Sequence, residues 1–208
     1  MYKLYIFDFD GTLADSGAWM VRTLNEMAPL FGVRQASDDD IEMLRGKSNR
    51  DIVRYFRVPA WKMPRIARYV RRRMGEDAEQ IALFDGVPAM LAAVKDAGVR
   101  VAVVSSNSEA NIRRILGDAA GIVDDYACGA GLFGKARKFR KVIRAAGVLG
   151  SETLCIGDET RDIEAARQAG AAAGAVTWGY ATRQILETFA PAVMFAAVAD
   201  IVPEPRPT

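Results

Sequence analysis

Two aspartates one residue apart, Asp8 and Asp10, follow the apolar run Lys3-Leu4-Tyr5-Ile6-Phe7 and precede Gly11-Thr12. Residues i and i+2 of a strand share a side, so the two carboxylates repel each other if they stay ionised and unpartnered in a partly buried site. Far along the chain, Gly157-Asp158-Glu159-Thr160-Arg161-Asp162 adds Asp158 and Asp162. A hard divalent cation relieves this crowding, and oxygen ligands with few fixed protein contacts suit Mg²⁺. A calcium loop does not fit: counted from Asp8, its glycine position holds Leu13 and its closing glutamate position holds Trp19. The chain contains no histidine, which excludes Ser-His-Asp and Cys-His catalysis and His-ligated zinc. Acid–base work falls to carboxylate, lysine, tyrosine or cysteine. The composition favours a carboxylate nucleophile that forms an acyl phosphate. A metal, a lysine, a hydroxyl and backbone N–H groups would hold the phosphoryl oxygens, while a second aspartate protonates the leaving oxygen and then activates water.

The elements that must position these groups read as alternating strands and helices. Apolar, β-rich runs lie at 3–7, 99–105, 122–128, 153–157, 171–176 and 192–196, with helical patterns at 87–98, 108–118, 135–147 and 159–170. Continuous apolar strands, each followed by a helix, predict a parallel α/β sheet covered on both faces, of Rossmann-like type. Ligands of such sheets bind beyond the C-terminal strand ends. There the sequence places Asp8 and Asp10, then Ser105, Ser106 and Asn107, then Asp158 and Asp162. Leu132-Phe133-Gly134-Lys135 delivers Lys135 at a helix start, with Lys138 and Lys141 on the same helix.

Residues 17–84 carry helical patterns at 18–31, 38–44, 49–57 and 63–82 and no strand pattern. They predict a small α-helical cap inserted after the first strand, with the catalytic core formed by 1–16 and 85–208. In the cap, Arg45, Gly46 and Lys47 form a positively charged bend and candidate substrate contacts, together with Ser106 and Asn107. The basic run Arg57–Arg73 reads as a solvated helix face, because Ile66, Tyr69 and Val70 form an apolar stripe between the arginines.

Composition limits the function class. The chain has 208 residues, 50% hydrophobic and 26% charged, with a net charge of +2, which gives no reason to expect nucleic acid or membrane as a partner. The stretch 169–182 is uncharged but too short and glycine-rich to span a bilayer. No leader pattern precedes the first strand, and Cys128 and Cys155 make neither a disulfide framework nor a zinc site. These features favour a cytoplasmic protein; the phosphoryl chemistry above adds the expectation of a small phosphorylated metabolite as substrate, acted on by a monomer or homodimer.

The stretches Asp8–Ser16 (DFDGTLADS), Val103–Asn107 (VVSSN), Gly134-Lys135 and Gly157–Asp162 (GDETRD) resemble, in order, the four motifs of the haloacid dehalogenase superfamily. The resemblance covers the whole chain, and the helical insert is similar to the cap of the phosphoglycolate phosphatase-like branch. It implies that Asp8 is the nucleophile and a magnesium ligand, and that Asp10 is the general acid/base with its carbonyl on the metal. It further implies that Ser105 hydrogen-bonds the phosphoryl group, Lys135 neutralises charge, Asp158 ligates Mg²⁺ and Asp162 supports the metal shell. Ser106 stands where many members carry Asn, so the loop register through Asn107 departs from the pattern. Asp10 disfavours the dehalogenases of the family. A phosphomutase, a phosphonatase using Lys47 or Lys62, and a non-catalytic phospho-ligand-binding regulator are the competing readings.

Overall fold

The computed structural model describes residues 1–129 and 134–202. The proline-rich tail 203–208, expected to fray, and Leu132 and Phe133 lie outside the described residues. In chain order the strands are β1 (Leu4–Phe7), β2 (Ala14–Asp15), β3 (Ala82–Leu83), β4 (Arg100–Val104), β5 (Asp125–Ala127), β6 (Thr153–Gly157), β7 (Ala172–Val176) and β8 (Val193–Phe195). The α-helices are α1 (Gly17–Phe31), α2 (Asp38–Arg45), α3 (Asn49–Tyr55), α4 (Met63–Glu76), α5 (Val87–Asp96), α6 (Glu109–Leu116), α7 (Lys135–Ala146), α8 (Thr160–Gln168) and α9 (Arg183–Thr188).

Six strands form one parallel sheet in the order β5-β4-β1-β6-β7-β8. The α/β expectation holds, and all six strand runs fall within this sheet. Alternation along each strand feeds two cores, because successive side chains point to opposite faces. Tyr5, Phe7, Val101, Val103, Leu154 and Ile156 pack on one face. Leu4, Ile6, Ala102, Val104 and Cys155 pack on the other, against α7 and α8. Each fully buried Leu, Ile or Phe contributes about 1.5–3 kcal/mol. Cys155 is thus a core residue, and both cysteines are free thiols. The chain passes from β1 to β4 on one side and reaches β6 on the other, so the strand order reverses at β1. That reversal opens a crevice at the C-terminal ends of β1, β4 and β6.

Helices α1–α4 lie between β2 and β3 in the chain. The expectation of no strand in 17–84 is corrected here, because β3 pairs antiparallel with β2 through Ala14–Leu83 and Asp15–Ala82. Two residues are too few to show period-2 alternation, and the backbone pairing supplies what the sequence pattern could not. The long helix expected over 63–82 ends at Glu76, and a 3-10 turn at Ala78–Gln80 leads into β3. Helix α2 starts in a reciprocal cap, with Asp40 N–H on Ser37 Oγ at 3.2 Å and Ser37 N–H on Asp40 Oδ2 at 3.0 Å. On α4, Ile66 and Met74 are buried while Arg65, Arg68 and Arg72 are exposed, as a solvated basic face requires. Trp19, Met74 and Ile81 join the core of the sheet, whereas Ala36, Leu44 and Phe56 form a small cluster of their own. Among the described residues no helix is long and apolar enough to cross a membrane.

Candidate active site

β1 delivers Asp8 into the crevice, where it is 3% exposed. Its Oδ1 accepts the N–H of Phe9 at 2.8 Å, and its Oδ2 faces Lys135 Nζ at 2.7 Å. Lys135 begins α7 directly after Gly134, and the same ammonium contacts Asp162 Oδ1 at 2.6 Å. Burial pulls the Lys135 ammonium toward neutrality, but Asp162 and Asp8 outweigh it and hold the group more firmly charged than usual. The structure therefore brings Lys135 rather than Lys138 against Asp8. Lys138 donates to the carbonyl of Ser105 at 2.6 Å and fixes the end of β4 instead.

Asp10 lies one turn beyond β1, partly open to a cavity described below. Its Oδ1 accepts from Ser16 Oγ at 3.1 Å. Burial, reinforced by Asp8, lifts its carboxyl to about 7, so a proton is held there near neutral pH. Ser16 also meets the Tyr180 hydroxyl at 2.7 Å.

Asp158 is fully buried at the end of β6. Its carboxylate accepts the Thr12 hydroxyl at 3.0 Å and the N–H of Tyr180 at 2.8 Å. Gly11, with φ +76°, lies against this carboxylate, where any side chain would collide with it. Gly179 closes the opposite wall in the same way. Burial, then Glu159, Asp162 and Asp8, raise the Asp158 carboxyl well above its ordinary range. Asp162 sits in the first turn of α8, and its Oδ2 accepts the N–H of Glu159 at 3.1 Å. It is thus a helix cap and a partner of Lys135 at once. Burial and Asp8 push its carboxyl up, Lys135 pulls it down, and it settles at about 6.

Oxygens of Asp8, Glu159 and Asp162 lie within 4.8 Å of one another. Of the residues expected to hold the metal, Asp8 and Asp162 stand in this cluster, the Asp158 carboxylate is turned to Thr12 and Tyr180, and Asp10, expected through its backbone carbonyl, has its side chain on Ser16. Glu159 is a residue the sequence reading passed over, although it adjoins Asp158 in the same motif. It pairs with Arg161, whose guanidinium is held strongly charged because Glu159, Asp162 and Asp8 outweigh its burial. Five carboxylates crowd around Lys135 and Arg161, and their full ionisation would leave an excess of negative charge in low-dielectric surroundings. A dense set of hard oxygen donors with that excess fits Mg²⁺.

Ser105 is buried, and its Oγ accepts the N–H of Asn107 at 3.0 Å. Asn107 is tied into the fold, receiving Ser108 N–H at 2.8 Å and Asn111 Nδ2 at 3.0 Å on its Oδ1. Ser106 and Asn107 line the cavity, as do Arg45 and Lys47, whereas Gly46 ends α2 outside the lining. Arg45 latches the helical insert to the core: its Nε donates to Tyr180 O at 3.2 Å and its carbonyl accepts Thr182 N–H at 2.9 Å. Tyr180, also absent from the sequence expectations, touches Asp158 through its N–H, Ser16 through its hydroxyl and Arg45 through its carbonyl. No local pattern marks it, because its partners come from three distant segments.

The family model of haloacid dehalogenase-like hydrolases matches residues 5–176, the span that carries Asp8, Asp10, Ser105, Lys135, Asp158 and Asp162. The chain belongs to that family. A phosphoglycolate phosphatase of Synechococcus elongatus is 35% identical over 200 residues, covering 95% of this chain and 94% of that protein. The tyrosine-protein kinase PtkA of Mycobacterium tuberculosis is 28% identical over 205 residues, covering 95% of this chain and 70% of its own length. Among solved structures, CbbY from Rhodobacter sphaeroides in complex with phosphate aligns with a TM-score of 0.74 at 25% identity, over 96% of each chain. A phosphatase fold from Clostridium acetobutylicum reaches 0.82 at 20% identity, over 97% of this chain and 96% of that one. As a member of the haloacid dehalogenase-like hydrolases, the chain is phosphoglycolate phosphatase-like in sequence and fold.

Proposed function

We propose that this phosphoric monoester hydrolase is Mg²⁺-dependent and works through an aspartyl phosphate on Asp8, with helices α1–α4 serving as its cap. The observation that carries the reading is the division between the two β1 aspartates. Asp8 is buried and ionically paired with Lys135, while Asp10 opens to the cavity with a carboxyl lifted to about 7. A nucleophile must be charged and a general acid must hold a proton, and these surroundings favour that assignment.

In the first step a carboxylate oxygen of Asp8 attacks phosphorus and the bond to the ester oxygen breaks. Asp10 gives its proton to the departing oxygen. In the second step the Asp10 carboxylate takes a proton from water, whose oxygen attacks phosphorus and releases phosphate from Asp8. Lys135 holds charge on Asp8 and on the phosphoryl oxygens, with Ser105 as a further donor. Oxygens of Asp8, Glu159 and Asp162, with Asp158 beside them, would hold Mg²⁺, which supplies charge neutralisation at the phosphoryl group. Phosphoglycolate is the first substrate to test, on likeness to the Synechococcus relative.

A phosphonatase is less well supported: Lys62 Nζ donates to Phe31 O at 2.6 Å and Lys47 is exposed, so neither is a desolvated amine. Phosphate release from p-nitrophenyl phosphate, with and without Mg²⁺, tests the reading, together with mass spectrometry of the acid-quenched Asp8 peptide. Turnover that survives chelation, or that survives Asp8→Asn, would sink it. A phosphomutase would isomerise its substrate instead of releasing phosphate, and a non-catalytic regulator would bind phosphomonoesters without turnover.

A further inference from the structure

Between the helical insert and the core lies an open cavity of about 610 Å³ whose lining includes Asp10. Its wall on the side of the insert is largely apolar: Leu24 and Met27 from α1, Ile52 and Val53 from α3, Phe56 after it, and Val70 from α4. Leu24, Ile52, Val53 and Val70 stay only half-buried, although helices this apolar would ordinarily close on one another. Apolar walls around a hollow forgo contacts that a bound hydrocarbon restores.

The place of Asp10 in this lining decides what occupies the hollow. The group that protonates the leaving oxygen must touch it, so the leaving group extends from Asp10 into the insert. Several of the lining cations already make a contact with the protein. Arg45 holds Tyr180 O and Glu42, Arg71 donates to Ser106 O at 3.2 Å, Arg161 pairs with Glu159, and Arg34 lies over Tyr55. Among the lining cations described, Lys47 alone stands exposed without such a partner. A hydrocarbon restores contacts to the apolar part of this lining, which a leaving group as short as that of phosphoglycolate would leave unfilled.

We propose that the preferred substrate is the phosphomonoester of an apolar aliphatic alcohol, with its hydrocarbon in this cavity and its phosphoryl group against Asp8. This rests on the phosphatase reading above and moves its substrate away from phosphoglycolate. A methylene fills roughly the volume of one water, about 30 Å³, so the hollow takes a chain on the order of ten carbons and leaves its mouth for the phosphoryl group. Met27 supplies a wall that adapts to such a chain.

The test compares kcat/KM of the Mg²⁺-loaded full chain on ethyl, butyl, hexyl and octyl phosphate and on 2-phosphoglycolate, below micellar concentrations. Transfer of each methylene from water predicts a gain of up to about fourfold per carbon, so octyl phosphate should exceed ethyl phosphate by at least about a hundredfold and also exceed phosphoglycolate. Leu24→Trp, and separately Val53→Trp, should lower the octyl-to-ethyl ratio at least tenfold, a ratio that general loss of activity does not move. Hydrolysis of p-nitrophenyl phosphate with a flat chain-length series, or with phosphoglycolate preferred, overturns the inference and leaves the phosphatase reading standing. Calorimetry of octylphosphonate and ethylphosphonate on Asp8→Asn reads the cavity without turnover. Chain-length-dependent binding there, with no ester hydrolysed by the natural chain, supports the cavity and overturns the phosphatase mechanism. Absence of both overturns the two together.

Discussion

At the C-terminal edge of the sheet, Asp8, Asp158 and Asp162 are buried; Asp8 and Asp162 share Lys135, and Asp158 meets Thr12. Above them the helical insert leaves Leu24, Ile52, Val53 and Val70 half-buried around an open hollow. The first region concentrates ionisable groups in fixed positions at a cost in stability. The second region gives up contacts and leaves space. The contrast separates two tasks: phosphoryl transfer needs charges that do not reorganise, while choosing a leaving group needs a wall whose shape can differ without disturbing them.

Asp8→Asn tests the charged region most severely. It should lower phosphate release by at least about 10³-fold, while octylphosphonate binding persists in calorimetry, because the hollow is untouched. Loss of both would merge the two regions into one.

Asp10 stands at the boundary between them. Asp10→Asn should cost on the order of 10²–10⁴ in kcat on alkyl phosphates and clearly less on p-nitrophenyl phosphate, whose leaving group needs no proton. Equal losses on the two substrates would remove Asp10 from the proton-transfer role.

The charged region should also show in the pH dependence of stability without metal. Asp10 at about 7 and Asp162 at about 6 titrate above their unfolded values, near 3.9. A raised folded pKa means the native state holds protons more tightly. The contribution is full below about pH 4 and is lost as pH rises through 6 to 7. Thermal unfolding of the metal-free chain should therefore occur at lower temperature at pH 8 than at pH 5, and Mg²⁺ should narrow the gap by binding the ionised carboxylates. Asp158→Asn should raise the metal-free melting temperature at pH 8 by a few degrees and weaken the response to Mg²⁺. A melting temperature that rises from pH 5 to pH 8 without metal would contradict the burial of these groups.

The smallest effect belongs to the joint between the regions. Tyr180→Phe removes the hydroxyl that meets Ser16 and should cost about 1 kcal/mol of stability. If Ser16 orients Asp10, the alkaline limb of the pH–rate profile should shift as well. A stability change with an unaltered pH profile would restrict Tyr180 to holding the insert in place.

Much of this was legible in the chain itself. Apolar runs such as Val101–Val104 and Leu154–Ile156 mark buried parallel strands because neither face of them is polar, and glycines such as Gly147 mark where helices stop. The absence of histidine and the spacing of Asp8 and Asp10 narrow the chemistry before any fold is known. The two-residue strand β3 was not legible, since so short a pairing has no period. Glu159 and Tyr180 were missed for a related reason. Their significance lies in what other segments supply: Asp8 near Glu159, and Ser16, Arg45 and Asp158 around Tyr180.

The sequence alone determined the alternating α/β order, the strand ends that carry carboxylates and the largely helical nature of residues 17–84, short of its last turn and strand, because strand burial, helix periodicity and capping are local properties of the chain. Tertiary structure decided which lysine meets Asp8, where the Asp158 carboxylate points and how much room lies between the insert and the core. Those are distances between elements, set by how side chains on separate helices and strands pack, and no local pattern encodes them.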